Sequence, residues 1–347
     1  MTSETNFFKK DDGTILPVSI EKYLLPVLSK TTKGTSYWEA PPDSKISDRQ
    51  LGRILLQVHQ ILDIFKSLGI STKNKNFLDI GTGNGMIPRL LLEFSELKEA
   101  TGTDPFLDGE HKTSWQNHDH DKTLLDIRKY FNENFNSKLE YKKYNNLTHY
   151  ENSTFIPQDI VTPVNKKKNY KFKKLGVHNI KNIGEKFDLL YCKAIEHISN
   201  LDVAFLSLSK VAKTNSFFYL KHRSFFSYLG PHRYSSIGIP WGHLLLNDEE
   251  YKRLVNEFHK DRMREMCDFY FNDLTFPRTS VSDMIKIANK YGFSLEGIKI
   301  EPPRYRNMTF DFTKKIKNFW EILHRNYPHI SSEEVFSGIY HIILKKV

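Results

Sequence analysis

The chain has 347 residues, which corresponds to about two domains or one enlarged domain. Hydrophobic residues make up 39% of it, aromatic residues 13% and charged residues 27%, so it belongs with folded globular proteins and not with fibrous or disordered ones. No segment reaches the roughly 18 apolar residues of a membrane span. With only Cys192 and Cys267, a disulfide framework is excluded. We expect a cytoplasmic protein without a membrane span.

The net charge is +10, from 51 Lys and Arg against 41 Asp and Glu. An excess of this sign is typical of nucleic-acid-binding proteins. Most of these lysines are scattered, however, and the dense run has aromatic residues between its later members, an alternation that indicates a strand. The run comprises Lys166, Lys167, Lys168, Lys171, Lys173 and Lys174, with Tyr170 and Phe172 between them. The pattern therefore disfavours a nucleic-acid partner.

The first predicted elements form a βαβ unit. Apolar residues at helical spacing predict a helix over 48–68, with Ser47 and Gln50 as a capping box and Gly69 as its end. A strand over 76–80, a glycine cluster, a helix over 86–94 and a strand over 100–103 follow. This order predicts a parallel sheet with a right-handed crossover.

The rest of the chain alternates between strands, helices and two irregular blocks. Period-two and apolar runs predict strands over 169–175, 187–192, 216–220, 293–300 and 336–345. Helical spacing predicts helices over 121–135, 202–213, 248–267, 280–291 and 311–325. The block over 107–168 and the block over 221–279 are predicted insertions, the second of which would carry specificity.

The strongest motif is Phe77-Leu78-Asp79-Ile80-Gly81-Thr82-Gly83-Asn84-Gly85. Glycines between a strand and a helix let the backbone turn sharply and approach a ligand, and the following helix offers free N–H groups. The spacing differs from the G-x-G-x-x-G of nicotinamide and flavin enzymes, because Met86 stands where the third glycine belongs. No G-K-[ST] sequence indicates a phosphate-binding loop.

This D-x-G-x-G-x-G pattern resembles the cofactor motif of the class I S-adenosylmethionine-dependent methyltransferases. The segment over 187–198, with its Glu196-His197 pair, is similar to the family's fourth strand and the turn after it. The resemblance implies an α/β fold with a Rossmann-like, seven-stranded, mostly parallel sheet, an antiparallel terminal strand and helical insertions. In that order of strands the lysine-rich strand is an edge, where lysines discourage aggregation.

The resemblance also implies S-adenosylmethionine as cofactor and a set of residues that contact it. Asp104, at the end of the second strand of the βαβ unit, stands where the family binds the ribose hydroxyls. Gly176, Val177 and His178 occupy the region where the family usually has an acidic residue near the adenine. Asn215, which can adopt positive φ, replaces a glycine before the fifth strand. The implied cofactor-binding set is Asp79, Gly81, Gly83, Gly85, Asp104, His178 and Cys192.

Three segments are expected on this basis. Residues 1–68 would form an N-terminal helical segment. Residues 69–220 and 280–347 would form the methyltransferase core, with the insertion over 107–168. Residues 221–279 would form a substrate-binding lid.

The block after the fifth strand contains His222, His232 and His243 among aromatic residues. Ligands of open α/β sheets bind at the carboxyl ends of the strands, and imidazole accepts a proton near neutral pH. The three histidines are therefore the candidate catalytic bases, with His222 favoured because it directly follows the strand, and His197 next. Their spacing is wider than that of familiar zinc sites, so no metal site is expected.

The sequence as a whole predicts a methyltransferase that acts on a small molecule. The expected reaction is O-methylation of a sugar, a lipid head group or a secondary metabolite. An RNA methyltransferase is the first alternative, and it is weakened because Cys192, Lys193, Ala194 and Ile195 stand in place of the Asn-Pro-Pro-aromatic turn of many base-methylating relatives. A non-catalytic cofactor-binding protein is the second alternative. The sequence makes no prediction of oligomeric state.

Overall fold

The computed structural model describes residues 6–19, 48–83, 85–105, 169–193, 195–228, 230–232, 235–273, 278–303 and 306–347. These residues form two compact units. The glycine unit contains the described residues of 33–192, 203–219 and 344–347. The histidine unit contains those of 1–32, 193–202 and 220–343. The predicted insertion over 107–168, including the helix over 121–135, lies outside the described residues, and the predicted segment boundaries stay predictions.

Nine strands are described. Their bounds are β1 Asn6–Lys9, β2 Ile15–Val18, β3 Asn76–Ile80, β4 Glu99–Asp104, β5 Asn169–Lys174, β6 Phe187–Cys192, β7 Ala212–Arg223, β8 Phe293–Ile300 and β9 Ile339–Lys346. The first two pair as an antiparallel hairpin. The other seven form one sheet in the order β5-β4-β3-β6-β7-β9-β8. The pairs of β3 with β4, of β3 with β6 and of β4 with β5 are parallel.

This sheet confirms the predicted seven-stranded, mostly parallel architecture. The lysine-rich strand β5 lies at one edge, as expected from the strand order, and the terminal strand β9 lies between β7 and β8. The order reverses at β3, because β4 lies on one side of it and β6 on the other. In open α/β sheets such a switch point is where ligands bind, at the carboxyl ends of the strands.

Ten α-helices are described. Their bounds are α1 Asp48–Ser67, α2 Met86–Phe94, α3 Leu201–Val211, α4 Gly242–Leu245, α5 Asp248–Phe258, α6 Met263–Asp268, α7 Val281–Lys290, α8 Arg306–Thr313, α9 Phe319–Asn326 and α10 Ser332–Val335. A capping box begins α5, where Asn247 accepts from the backbone N–H of Glu250 and the Glu250 carboxylate accepts from that of Asn247. Among the described residues, no helix has the length and apolar character needed to cross a membrane.

Several element boundaries differ from the predicted ones for local reasons. The helix predicted over 248–267 is two helices, because the turn over Lys260–Arg262 separates α5 from α6. The helix predicted over 311–325 is also two, because Asn318 adopts a left-handed conformation (φ 60°) at the start of α9. The strand predicted over 216–220 begins at Ala212, with Asn215 at φ 63°, and ends at Arg223. His222 therefore lies within this strand, and the prediction that it directly follows the strand is wrong.

Each unit has its own apolar core. In the glycine unit the buried residues include Val58, Phe77, Leu90, Phe187 and Phe205. In the histidine unit they include Phe8, Trp241, Leu244, Tyr251 and Leu323. Each such side chain contributes about 1.5 to 3 kcal/mol by leaving water. The cores therefore fix the ends of β3, β4 and β7, from which the candidate site residues extend.

Candidate functional site

The glycine turn after β3 has a backbone that only glycine adopts readily. Gly81, Gly83 and Gly85 have φ values of 70°, 55° and 69°, in the left-handed region where a Cβ causes strain. The N–H groups of Gly81 and Thr82 both donate to the carbonyl of Thr103, at 2.8 and 3.0 Å. The turn is therefore tied to the end of β4, beside Asp104.

Two buried carboxylates hold this turn. The hydroxyl of Thr82 donates to Asp79 Oδ2 at 2.7 Å, and the backbone N–H of Gly83 donates to Asp104 Oδ2 at 3.1 Å. Asp79 is 2% exposed and Asp104 is 4% exposed. The structure thus brings Asp79, Gly81, Gly83 and Asp104 together, as the sequence predicts.

The two sides of the glycine turn differ in how they are packed. A Cβ added at Gly83 would meet no atom of the described residues within 4 Å, so the described part of the chain leaves this backbone approachable. A Cβ added at Gly85 would overlap the hydroxyl of Tyr170 on β5, and Arg89 lies 4.7 Å from the centre of the Tyr170 ring. Burial raises the pKa of the Tyr170 hydroxyl, which keeps it protonated. Tyr170 therefore supports the turn from one side, while the Gly83 side fits a ligand.

The other two predicted cofactor residues lie in the same unit. Cys192 is fully buried at the end of β6 and is the register partner of Ile80, the last residue of β3. His178 is half-buried in the 3-10 turn over Val177–Ile183, which follows β5. Their contact with the cofactor stays a prediction.

A second group of candidate side chains lies in the histidine unit. The 3-10 turn Ile195–His197 contains Glu196, which is 7% exposed, and β7 carries His222, which is 6% exposed. Nδ1 of His222 lies 3.8 Å from Oε2 of Glu196, which is an ion-pair distance but too long for a hydrogen bond. The fold thus places His222 against a buried carboxylate.

Tight turns return the chain from β7 to this carboxylate. The N–H of Ser227 donates to the Ser224 carbonyl at 3.1 Å, and that of Gly230 donates to the Ser227 carbonyl at 2.9 Å. Gly230 is needed because a Cβ there would overlap the carbonyl of Phe225. His232 follows at φ 53°, with its ring 5.1 Å from that of His197. One ligand atom each of Glu196, His197 and His232 then lies within 4.8 Å of the others.

The charges around Glu196 determine the protonation states of the group. Burial alone would raise the pKa of Glu196, but His222, His197 and Arg223 outweigh it and lower that pKa, so the carboxyl is ionised. Burial lowers the pKa of His232 well below its usual value, and the positive charges of Arg223 and Lys193 lower it further. His232 is therefore neutral at physiological pH.

His243 has different surroundings. Its Nε2 lies 2.7 Å from the carbonyl oxygen of Phe225, and its ring is edge-on to the Phe225 ring at 5.1 Å. Burial lowers the pKa of His243 to about 3, assisted by Arg278 and partly offset by the bond to Phe225. His222 and His232 flank Glu196, whereas His243 serves the local packing after β7. A neutral ring that donates to a carbonyl fits a structural role.

Acidification should destabilise the fold through His243. Below about pH 6.5 the ring binds a proton in the unfolded chain, whereas in the folded chain it stays neutral until about pH 3. The free energy of unfolding therefore falls as the pH falls through this window, by up to about 1.4 kcal/mol per pH unit. The variant His243→Gln, whose amide can donate to the same carbonyl, should show a smaller slope in urea unfolding measured between about pH 7 and pH 5. An unchanged slope would contradict the neutral state of His243.

Sequence reasoning missed two contributors. In the sequence Glu196 is marked only as half of a Glu-His pair, because its position among histidines depends on the fold. Tyr170 is marked only as part of the lysine-rich strand, although its large ring faces Gly85 and Gly102 and supports the glycine turn. The signal for Tyr170 was the pair of glycines, which leaves room for a ring on the neighbouring strand.

No protein family and no curated protein matches this chain. Among solved structures, a cyclopropane synthase from Mycobacterium tuberculosis is 14% identical, with 87% of this chain and 95% of that one covered and a TM-score of 0.41. Magnesium protoporphyrin IX methyltransferase from Synechocystis PCC 6803 is 10% identical, with 88% and 90% covered and a TM-score of 0.40. Coclaurine N-methyltransferase is 12% identical, with 83% and 72% covered and a TM-score of 0.40.

The solved structures of the protoporphyrin and coclaurine enzymes are described as bound to S-adenosylhomocysteine. At TM-scores near 0.4 these likenesses carry no argument about this chain. The function proposed below rests on the geometry of its own glycine turn and histidine group.

Proposed function

We propose that the chain is an S-adenosylmethionine-dependent methyltransferase that acts on a small-molecule acceptor. The observation that carries the proposal is the glycine turn at the switch point of the sheet, with Gly83 bonded to Asp104 and approachable from one side. A turn of this kind suits a ligand with two features. One is a set of hydroxyl groups that can donate to a carboxylate, and the other is a flexible portion that can lie along the backbone of the turn. S-adenosylmethionine has both features.

The chain's own residues would bind and orient this cofactor. Asp104 would accept hydrogen bonds from the ribose hydroxyls, and the open backbone at Gly83 would lie along the cofactor's amino-acid portion. Thr82 and Asp79 keep the turn in place through their 2.7 Å hydrogen bond. When bound, S-adenosylmethionine supplies a methyl group that is already activated by a sulfonium, so the protein chiefly contributes alignment.

We also propose His222 as the group that accepts the acceptor's proton during O-methylation. Glu196 lies 3.8 Å from its Nδ1, and a carboxylate in that place orients an imidazole. His232 is the second candidate, since it flanks the same carboxylate. The bond of His243 to Phe225 makes it the weakest of the three.

The charges of the glycine unit favour a small acceptor over RNA. Lys171, within the lysine-rich strand, lies 3.1 Å from Glu99 and 3.7 Å from Glu185. Lys213 and Lys75 lie 2.8 and 3.7 Å from the carboxylate of Asp188. Lysines that are paired within the chain offer less charge to a phosphate backbone. A sugar, a lipid head group or a secondary metabolite is the proposed acceptor class.

Transfer of a labelled methyl group tests this function. The protein would be incubated with methyl-labelled S-adenosylmethionine and, separately, with a small-metabolite extract, a lipid extract and total RNA. Label in a small molecule or lipid is the expected result. Label in RNA would establish the alternative acceptor, and cofactor binding without transfer to any fraction would favour a non-catalytic protein.

A further inference from the structure

Several buried polar atoms around Glu196 have no hydrogen-bond partner among the residues that the structure describes. They are Oε2 of Glu196 and both ring nitrogens of His222. More than about 90% of buried polar groups in folded proteins are hydrogen-bonded, and an unsatisfied one costs about 1 to 3 kcal/mol. Glu196, whose Oε2 has the 3.8 Å ion pair with His222 but no hydrogen bond from the described residues, is thus a buried carboxylate that a further ligand would stabilise.

The donors at this place are two imidazoles and one carboxylate. Glu196 and His197 are neighbours in the turn after β6, and His232 approaches them from the turns after β7. One ligand atom of each residue lies within 4.8 Å of the others, so the three side chains are grouped closely enough to share one ion. We propose that Glu196, His197 and His232 bind one divalent transition-metal ion of the zinc type.

The kind of ion follows from the donor set. Mg²⁺ and Ca²⁺ prefer oxygen ligands, whereas imidazole nitrogens suit Zn²⁺ and its transition-metal neighbours. Three protein ligands are typical of zinc sites that keep one position open for water or substrate. We therefore expect Zn²⁺ to bind here and Mg²⁺ to compete poorly.

The neighbouring positive charges set a condition on this site. Arg223 acts on both Glu196 and His232, and Lys193 acts on His232. One carboxylate alone does not neutralise a divalent ion beside two cations. We expect the bound ion to take an anionic fourth ligand, either from solution or from an acceptor oxygen.

The sequence gives no indication of this site, because the three ligands do not lie in one block of the chain. Within the block over 221–279, His222, His232 and His243 are spaced too widely for a familiar zinc motif. The fold adds Glu196 and His197 from a turn that precedes the block in the chain. The proposal does not depend on methyl transfer, since all three ligands lie in the histidine unit.

Titration of Zn²⁺ into tag-free, chelator-treated protein tests the proposal. Competition with a zinc-binding dye should give one tight equivalent per chain, and Co²⁺ should produce visible absorption bands of a nitrogen- and oxygen-ligated ion. Zn²⁺ should also raise the midpoint of thermal unfolding. In Glu196→Gln, His197→Asn and His232→Asn the tight equivalent should weaken by roughly a hundredfold or more.

His324→Asn is the matched control, because it removes an imidazole that is exposed on α9. It should leave the tight equivalent unchanged. His197 is only half-buried, so His197→Asn keeps the test valid if a change at buried Glu196 prevents folding. No tight equivalent in the wild-type protein, or the same affinity in His197→Asn and His232→Asn, would overturn the proposal. Equal loss in His324→Asn would also overturn it.

Discussion

Replacing Asp104 by alanine is expected to weaken S-adenosylmethionine binding by about ten- to a hundredfold. Hydrogen bonds to a charged group contribute roughly 1.5 to 3 kcal/mol, which converts to that range of affinity. The loss has two sources, because Asp104 would bind the ribose and also accepts the N–H of Gly83. Isothermal titration calorimetry on both proteins measures the effect.

Two further variants separate these sources. Asp104→Asn keeps an oxygen for the N–H of Gly83 but removes the charge, so it should retain part of the affinity that Asp104→Ala loses. Asp188→Asn is the matched control, because Asp188 also accepts a backbone N–H, from Asn76 at the other end of β3. It should bind the cofactor like the wild-type protein. Wild-type affinity in Asp104→Ala would remove Asp104 from the site.

Replacing His222 by asparagine is expected to lower turnover by about a hundred- to ten-thousandfold, the range typical of a lost general base. The affinity for S-adenosylmethionine should be kept, because the proposed cofactor contacts lie at Asp104 and the glycine turn. The turnover rate is measured with the identified acceptor, and the affinity for S-adenosylmethionine is measured by calorimetry. A fall in both together would indicate unfolding and not loss of a proton acceptor.

His341→Asn controls for the removal of a buried imidazole that faces a glutamate. His341 is 5% exposed and its Nε2 lies 2.8 Å from Glu301, so its setting resembles that of His222 beside Glu196. Turnover in this variant should stay near that of the wild-type protein at temperatures where it is folded. If His222→Asn also turns over normally, His222 is not the proton acceptor.

The parts of the fold that could be predicted are those whose signal is local. The apolar run over 76–80, the three glycines and the helix over 86–94 specify the βαβ unit in a short stretch of chain, and the structure has all of them at the predicted bounds. Asp104 could be placed because it directly follows the next strand. Parallel strands end at the same edge, so Asp104 and the glycine turn had to meet.

The parts that could not be predicted depend on distant residues or on weak local patterns. The pKa of Glu196 is lowered in part by His222, and His232 lies beside the same carboxylate, although both histidines are 26 or more positions away in the sequence. The hairpin of β1 and β2 was missed because its strands have four residues each and Pro17 weakens the strand pattern. Its turn at Asp12 and Gly13 was a usable signal.

The predicted boundaries of two helices were wrong for another reason. Helical spacing continues across the turns at Lys260–Arg262 and Asn318, so periodicity alone joins the helices on either side. Asn318 carried the relevant signal, since asparagine tolerates the left-handed conformation that ends regular helix. Such helix breaks are indicated by individual residues and not by average hydrophobicity.

Direct titration of S-adenosylmethionine and S-adenosylhomocysteine into the wild-type protein tests the central claim that the glycine turn after β3 is a cofactor site. We expect one binding site per chain for each ligand, with affinity that falls in Asp104→Ala and stays in Asp188→Asn. Folded wild-type protein that binds neither ligand, or that binds both equally well after Asp104→Ala and after a bulky substitution at Gly83, would contradict it.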